Sequence, residues 1–200
     1  MTIKILSTSP SFGYFASEPL AYLKENGGEW ELLPQGKKIT PQELIERIGG
    51  FDALIVGMEE TISEAVLQAA SRLKIIAKHG AGVDNIDIPA ATRRGIPVVS
   101  AAGANSDAVA DLTFGLFIAL ARTVPKADRA VKGGAWPRLV GTQLAGKTLG
   151  IIGLGRIGKK VARRAAGFDM QTLVYDVFRD EEFARRSEIS YVSREELLGR

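Results

Sequence analysis

Short runs of apolar residues alternate with stretches of helical periodicity throughout the first half of the chain. The apolar runs predict strands and the periodic stretches predict helices. The strands are expected at 4–6, 30–33, 53–56, 74–77 and 97–99, and the helices at 41–48, 63–71 and 89–94. Strands that alternate with helices pair in parallel, and strands without polar interruptions are buried on both faces. Residues 1–100 are therefore predicted to form a small doubly wound α/β domain.

The second half of the chain opens with one long apolar stretch at 106–122. Its apolar residues cover most of the circumference of a helix, so we expect a buried helix that a neighbouring domain or a second subunit covers. Another helix is expected near 126–132. From Gly146 the alternation starts again, with strands expected at 148–152, 172–175 and 190–192 and helices at 156–166, 181–186 and from Ser193 onward.

The composition is that of a folded protein, because 46% of the 200 residues are hydrophobic and disordered chains are poorer in such residues. The chain has no cysteine and a single histidine, His79, which excludes disulfides and cysteine nucleophiles and argues against a metal site. Its most apolar run, 112–121, is shorter than the roughly 20 residues that a membrane-spanning helix needs. The amino terminus lacks the pattern of a secretory signal, so a cytoplasmic protein without a membrane partner is expected.

Basic residues recur along the helix expected at 156–166, in a chain whose formal net charge is +3. They are Lys159, Lys160, Arg163 and Arg164. Such a row of charges is more often a solvated helix face than a nucleic-acid patch. No nucleic-acid partner is therefore expected.

A glycine pattern follows the strand expected at 148–152. Gly153, Gly155 and Gly158 form the sequence G-x-G-x-x-G between that strand and the next helix. In dinucleotide-binding folds the first glycine permits the tight turn, the second lets a pyrophosphate approach the backbone, and the third lets helix and strand pack closely. The amino terminus of the helix adds free N–H groups and partial positive charge for the phosphates. The pattern therefore predicts a dinucleotide site at this turn.

Asp176 ends the next expected strand, where a carboxylate can accept hydrogen bonds from both hydroxyls of an adenosine ribose. A 2′-phosphate at that position would meet a like charge. The sequence therefore favours NAD over NADP, although the cationic Arg179 lies nearby. Methyltransferases also place an acidic residue after their second strand, and they are the competing interpretation of this nucleotide site.

Four segments of the chain carry a resemblance to a known family. They are 78–87 (KHGAGVDNID), 90–98 (AATRRGIPV), 104–111 (ANSDAVAD) and 144–158 (LAGKTLGIIGLGRIG). In these segments the chain resembles the D-isomer-specific 2-hydroxyacid dehydrogenases, and among them the phosphoglycerate-dehydrogenase-like members. The resemblance implies a flavodoxin-like substrate domain, with residues 1–100 as its amino-terminal part, followed by the first half of a Rossmann NAD-binding domain at 101–200.

The resemblance also implies roles for individual residues. The loop of Gly80, Ala81 and Gly82 would present backbone N–H groups to the substrate carboxylate, although Ala81 stands where relatives carry a threonine. Lys78 stands where phosphoglycerate dehydrogenases carry a basic side chain; it would hold a carboxylate or phosphate, or else be a solvated lysine at a strand end. Arg156 and Ile157 are implied to lie against the pyrophosphate through their backbone.

The family resemblance implies an NAD-dependent oxidoreductase that interconverts a D-2-hydroxy acid and its 2-keto acid and forms a homodimer. The arginine, glutamate and histidine that perform this reaction in the family would lie beyond Arg200, and His79 precedes the glycine loop instead of facing the hydride path. We therefore expect an amino-terminal fragment that lacks the catalytic residues and is inactive alone. The alternatives are a non-catalytic NAD-binding module and an interaction fragment that exposes the helix around 112–120.

Overall fold

The computed structural model describes residues 2–34 and 37–200, which divide into two compact units between Ala104 and Asn105. Strands and helices alternate along the first unit. They are β1 (Ile3–Ser7), α1 (Glu18–Glu25), β2 (Gly28–Leu32), α2 (Pro41–Ile48), β3 (Ala53–Val56), α3 (Glu64–Ala69), β4 (Ile75–Lys78), α4 (Ile88–Arg93) and β5 (Val98–Ser100).

The strands of the first unit form one parallel sheet in the order β2-β1-β3-β4-β5, which is the order of flavodoxin-like domains. The predicted fold class is therefore confirmed. The core lies between the sheet and its helices, and the largest fully buried side chains include Leu6, Leu44, Ile48, Leu54, Leu67 and Ile76. Because all strands run the same way, β1, β3 and β4 end on one edge of the sheet, where such domains bind their ligands.

Local sequence signals account for some helix starts better than for others. Helix α2 begins with a capping box, in which the Thr40 hydroxyl accepts from the Glu43 N–H at 3.2 Å and the Glu43 carboxylate accepts from the Thr40 N–H at 2.9 Å. Ser63 is the N-cap residue of α3, but its side chain makes no capping hydrogen bond with the described residues. Helix α1 was not predicted, and none of its residues is buried.

A buried carboxylate ties the amino-terminal ends of several strands together. Asp52 accepts a hydrogen bond from the Lys4 N–H at 3.1 Å and pairs with Arg72 at 3.1 Å and with Lys74 at 3.2 Å. The Lys4 N–H first, and then the two cations, lower the pKa of Asp52 to about 2. The carboxylate therefore stays charged at neutral pH and fixes this end of the sheet, opposite the ligand-binding edge.

The second unit repeats the alternation after two consecutive helices. Its elements are α5 (Ser106–Ala121), α6 (Val124–Lys132), β6 (Thr148–Ile152), α7 (Arg156–Ala166), β7 (Gln171–Tyr175), α8 (Glu181–Arg186), β8 (Ser190–Tyr191) and α9 (Arg194–Gly199). The strands form a parallel sheet in the order β6-β7-β8, which is the order of one half of a Rossmann fold. Leu149, Val161 and Val174 lie in a separate core with Ala110 and Phe114 of α5.

Within the chain, one face of α5 is buried and another is left exposed. Phe114 is buried, but Leu112, Leu116 and Leu120 are 62%, 60% and 81% exposed. The reason is that α5 packs along α7 on one side only. None of the helices in 2–34 and 37–200 could cross a membrane alone; α5 and α6, which meet at a 65° bend, meet the length and composition criteria only as a pair.

Candidate cofactor and substrate sites

The predicted glycine pattern forms the turn between β6 and α7. Gly153 directly follows β6 with φ +91°, a backbone conformation that L side chains rarely adopt. Its N–H donates to the Tyr175 carbonyl at 2.8 Å, which holds the turn against the end of β7. Gly155 is the N-cap residue of α7, and a Cβ placed on it would meet nothing within 4 Å. Open space therefore lies in front of the residue whose backbone a pyrophosphate would approach.

Gly158 holds α7 close to the same turn. A Cβ on Gly158 would lie 2.2 Å from the Gly153 carbonyl oxygen and 3.5 Å from Cγ2 of Ile151 in β6. No side chain fits between backbone atoms at such a distance. Arg156 and Ile157 form the first turn of α7, where N–H groups have no acceptor within the helix and can bind an anion.

Asp176 follows β7 and faces the glycine turn. One carboxylate oxygen accepts from the Leu154 N–H at 2.6 Å and the other from the Phe178 N–H at 3.0 Å. The Phe178 and Leu154 N–H groups lower the pKa of Asp176, so the carboxylate is charged at neutral pH. The contact with Leu154 was not predicted, because it joins residues that are distant in the sequence. Through this hydrogen bond Asp176 holds the glycine turn in place and lies next to it.

Two cations lie near the segment that follows Asp176. Arg179 belongs to this segment, and Lys159 on α7 faces it. Arg179 packs over the ring of Tyr191 at 5.2 Å and lies 3.8 Å from Glu181. Lys159 on α7 forms an ion pair with Asp180, and this pair lowers the pKa of Asp180. Both cations therefore have protein partners, but Arg179 is held by surface contacts only.

The basic face of α7 is paired with neighbouring helices. Lys160 binds Asp107 at 2.6 Å, and Arg164 binds Asp111 of the same helix, α5. Arg163 lies over the ring of Phe183 at 5.4 Å. These contacts join α5, α7 and α8, so the row of charges predicted from the sequence has a structural role.

The second predicted site is the loop after β4. Ala81 and Gly82 are exposed, and across the described part of the chain neither of their N–H groups donates a hydrogen bond. The Gly80 carbonyl accepts from the Ala101 N–H at 3.0 Å, which fixes the start of the loop. A Cβ on Gly82 would lie 3.0 Å from Oδ2 of Asp84, so an acidic side chain borders the loop on one side. Both N–H groups are therefore available to an anion.

Lys78 precedes this loop and points inward. Its side chain is 6% exposed, and its ammonium donates to the Gly57 carbonyl and to Oδ1 of Asn85 at 2.7 Å. Burial lowers the pKa of Lys78, while the charges of Glu60 and Asp84 oppose that change. Lys78 thus joins the ends of β3 and β4 to the loop. Because it is buried, it is not the solvated lysine that the sequence also allowed.

Asn85 and Glu60 complete this network and were missed by sequence reasoning. The Asn85 side-chain amide donates to the carbonyl oxygens of Glu60 at 2.6 Å and of Gly57 at 3.2 Å. The buried Glu60 carboxylate accepts from the Gly57 N–H at 2.7 Å and from the Thr8 hydroxyl. Asn85 lies within the segment 78–87 that carries the family resemblance, whereas no sequence signal marks Glu60. Within the described residues no cluster of His, Cys, Asp or Glu side chains is arranged to hold a metal ion.

Comparisons with known proteins agree with this architecture. The family model of the D-isomer specific 2-hydroxyacid dehydrogenase catalytic domain matches residues 11–195. A D-3-phosphoglycerate dehydrogenase of Archaeoglobus fulgidus is 40% identical over 98% of the chain, and a glyoxylate reductase of Korarchaeum cryptofilum is 42% identical over 82% of it. The chain spans 36% of the length of the first relative and 50% of the second.

Solved structures show the same fold. A Thermus thermophilus protein superposes with a TM-score of 0.87 and 34% identity over 98% of this chain and 61% of that one. The D-lactate dehydrogenase of Aquifex aeolicus, whose crystals contain NAD and lactic acid, gives a TM-score of 0.81 and 25% identity over 98% of this chain and 57% of that one. An acyclic imino acid reductase in complex with NADPH and D-Arg gives a TM-score of 0.82 and 26% identity over 98% of this chain and 62% of that one. The similar structures thus include both nicotinamide dinucleotides.

Proposed function

Since the chain belongs to the D-isomer specific 2-hydroxyacid dehydrogenase family, we propose that it supplies the cofactor and carboxylate contacts for the NAD-dependent interconversion of a D-2-hydroxy acid and its 2-keto acid. The observation that carries this proposal is the contact between Asp176 and the Leu154 N–H, which places a charged carboxylate beside the glycine turn. The close packing of Gly158 on that turn supports it further.

Each part of the cofactor site has its own role in this proposal. The N–H groups of the first turn of α7, at Arg156 and Ile157, bind the pyrophosphate, and Gly153 and Gly155 keep the approach to the backbone free of side chains. Asp176 accepts hydrogen bonds from the ribose hydroxyls and repels a 2′-phosphate, so we propose NAD as the cofactor. The bound dinucleotide supplies or accepts the hydride.

The carboxylate of the acid is assigned to the loop after β4. There the N–H groups of Ala81 and Gly82 bind the anion. Lys78 does not contact the anion in this proposal but positions the loop by holding it to the end of β3. Reduction of a keto group also requires a proton donor. The family resemblance places that donor outside residues 1–200, and His79, the single histidine, is bound to Ser9 at the sheet edge. We therefore propose that residues 1–200 bind the cofactor without turnover.

The test combines binding and activity on the 200-residue polypeptide. NADH is titrated into the protein and its fluorescence is followed, and NADH oxidation is then assayed with glyoxylate, pyruvate and hydroxypyruvate. Saturable binding with no oxidation above the protein-free rate is the expected result. Failure to bind NADH would contradict the proposed cofactor. Turnover would show that a proton donor lies within residues 1–200.

We also propose that the exposed face of α5 pairs with a second copy of the chain. Leu112, Leu116 and Leu120 recur every four residues and form a continuous exposed apolar stripe, which a soluble protein normally covers. The family resemblance implies a homodimer, and a helix face of this kind is suited to a self-complementary interface.

The substitution Leu116→Asp should convert a dimer of the chain to a monomer, because two such charges would face each other across the interface. Light scattering coupled to size-exclusion chromatography measures the change in mass. Tyr22→Asp is the control, since Tyr22 is an equally exposed apolar side chain on α1 in the first unit. A wild-type chain that is monomeric, or a Leu116→Asp variant that stays dimeric, would contradict this interface.

A further inference from the structure

His79 and two serines meet at the edge of the first sheet where the strands end. Ser9 and Ser11 lie on the segment after β1, and His79 directly follows β4. Nδ1 of His79 lies 2.8 Å from Oγ of Ser9 and 3.4 Å from Oγ of Ser11. Ser9 is 4% exposed, whereas the imidazole is exposed. A buried hydroxyl therefore anchors one nitrogen of an accessible ring.

The orientation of the ring is fixed from a second side. The ring of Phe12 meets that of His79 edge to face, with centroids 5.7 Å apart and an interplanar angle of 84°. No hydrogen bond among the described residues involves Nε2. Because Nδ1 is held by Ser9, Nε2 is the nitrogen left for a ligand.

This imidazole stands next to the anion-binding loop. His79 immediately precedes Gly80, and the free N–H groups of Ala81 and Gly82 follow it. The neighbouring charged groups are Lys78 and Glu60, which are buried in their own network, and Asp84, which borders the loop at Gly82. Lys78 has its ammonium on Gly57 and Asn85. His79 is therefore an accessible polar side chain beside the loop, where it can contact the remote end of an acid whose carboxylate lies on the loop.

We propose that the Ser9–His79 pair selects 2-hydroxy or 2-keto acids that carry a second oxygen-bearing group, such as a hydroxyl, carboxylate or phosphate, at the end remote from the reacting carboxylate. The proposal rests on the assignment of the loop to the substrate carboxylate. A neutral imidazole donates to or accepts from a hydroxyl through Nε2, and a protonated one donates to an anionic oxygen. An alkyl end makes no hydrogen bond to Nε2 and gains none of this affinity.

The chain contains one histidine, so the ring protons of His79 give an unambiguous pair of signals in a carbon-correlated NMR spectrum. D-glycerate, D-malate and D-3-phosphoglycerate are titrated separately, and D-2-hydroxybutyrate serves as the alkyl-ended acid of matched length. The polar-ended acids should shift the His79 signals and bind about tenfold more tightly than 2-hydroxybutyrate, which corresponds to the upper part of the usual net value of one hydrogen bond. Comparison of the three acids identifies whether hydroxyl, carboxylate or phosphate is preferred.

Two variants test the pair itself. Ser9→Ala removes the anchor, and His79→Phe keeps an aromatic ring against Phe12 but removes both nitrogens. Each variant should reduce the tenfold preference to nearly none, while 2-hydroxybutyrate binds as before. Ser71→Ala is the control, because Ser71 is an exposed serine before the opposite end of β4, and it should leave the preference unchanged.

The proposal is overturned if saturating polar-ended acids leave the His79 signals in place, or if the preference survives in His79→Phe. NADH binding is measured on the same samples. Intact NADH binding with no response at His79 would refute this inference without contradicting the proposed cofactor site. A response at His79 without NADH binding would support the inference and refute the proposed cofactor.

Discussion

Replacing Gly158 by alanine should abolish dinucleotide binding and lower the free energy of unfolding of the second unit by about 1–3 kcal/mol, the usual cost of forcing an extra methyl group into a packed region. The new Cβ would lie 2.2 Å from the Gly153 carbonyl oxygen and 3.2 Å from the Gly153 carbonyl carbon, and neither the methyl group nor these backbone atoms can rotate away to relieve the clash. Helix α7 must then move away from β6, which displaces the N–H groups of its first turn. Urea denaturation followed by circular dichroism, together with an NADH titration, measures both effects.

Gly199→Ala is the matched control for this substitution. Gly199 is also a helical glycine of the second unit, but a Cβ there would meet nothing within 4 Å. Alanine at that position should leave NADH binding unchanged and alter stability only slightly, since alanine is the better helix former. Wild-type stability and NADH affinity in the Gly158→Ala protein would contradict the packing described for the turn.

Asp176→Asn should weaken NADH binding roughly tenfold to a hundredfold, as expected when hydrogen bonds to a charged group are lost. The carboxylate accepts from the Leu154 and Phe178 N–H groups, and an amide nitrogen cannot accept from either of them. Loss of the charge also removes the repulsion of a 2′-phosphate, so NADPH should lose much less affinity than NADH. Parallel titrations with the two cofactors give the ratio directly.

The control for Asp176→Asn is Asp128→Asn, which neutralises a carboxylate on α6 that pairs with Lys132 in the next turn. It should leave both affinities unchanged. The melting temperature of each variant in the absence of cofactor separates a loosened turn from a lost ligand contact. An Asp176→Asn protein that keeps the wild-type ratio of NADH to NADPH affinity would contradict the role given to this carboxylate.

Much of the fold follows from local sequence signals. The alternation of apolar runs and helical stretches predicted a parallel sheet, and Thr40 followed by Pro41 predicted the start of α2. The turn at Gly153 was predictable because glycine is the residue that tolerates its positive φ. These features depend on residues that are near neighbours in the sequence.

Features that depend on distant residues were not predictable. The inward position of Lys78 requires acceptors on Gly57 and Asn85, and the anchoring of His79 requires Ser9 at the end of another strand. The apolar sequence of α5 predicted that something must cover the helix, but not which of its faces the rest of the chain leaves exposed. In each case the hydrogen bond or contact forms only after the strands are brought together.

The most direct test of the cofactor assignment is an amide NMR spectrum of glycine-labelled protein recorded with and without NADH. We predict that the signals of Gly153, Gly155 and Gly158 shift on addition of NADH, because they form the turn that the pyrophosphate approaches. The signals of Gly49 and Gly95, which lie in the first unit, should stay in place. Saturating NADH that leaves the three turn glycines unchanged would contradict the central claim that this turn holds a dinucleotide.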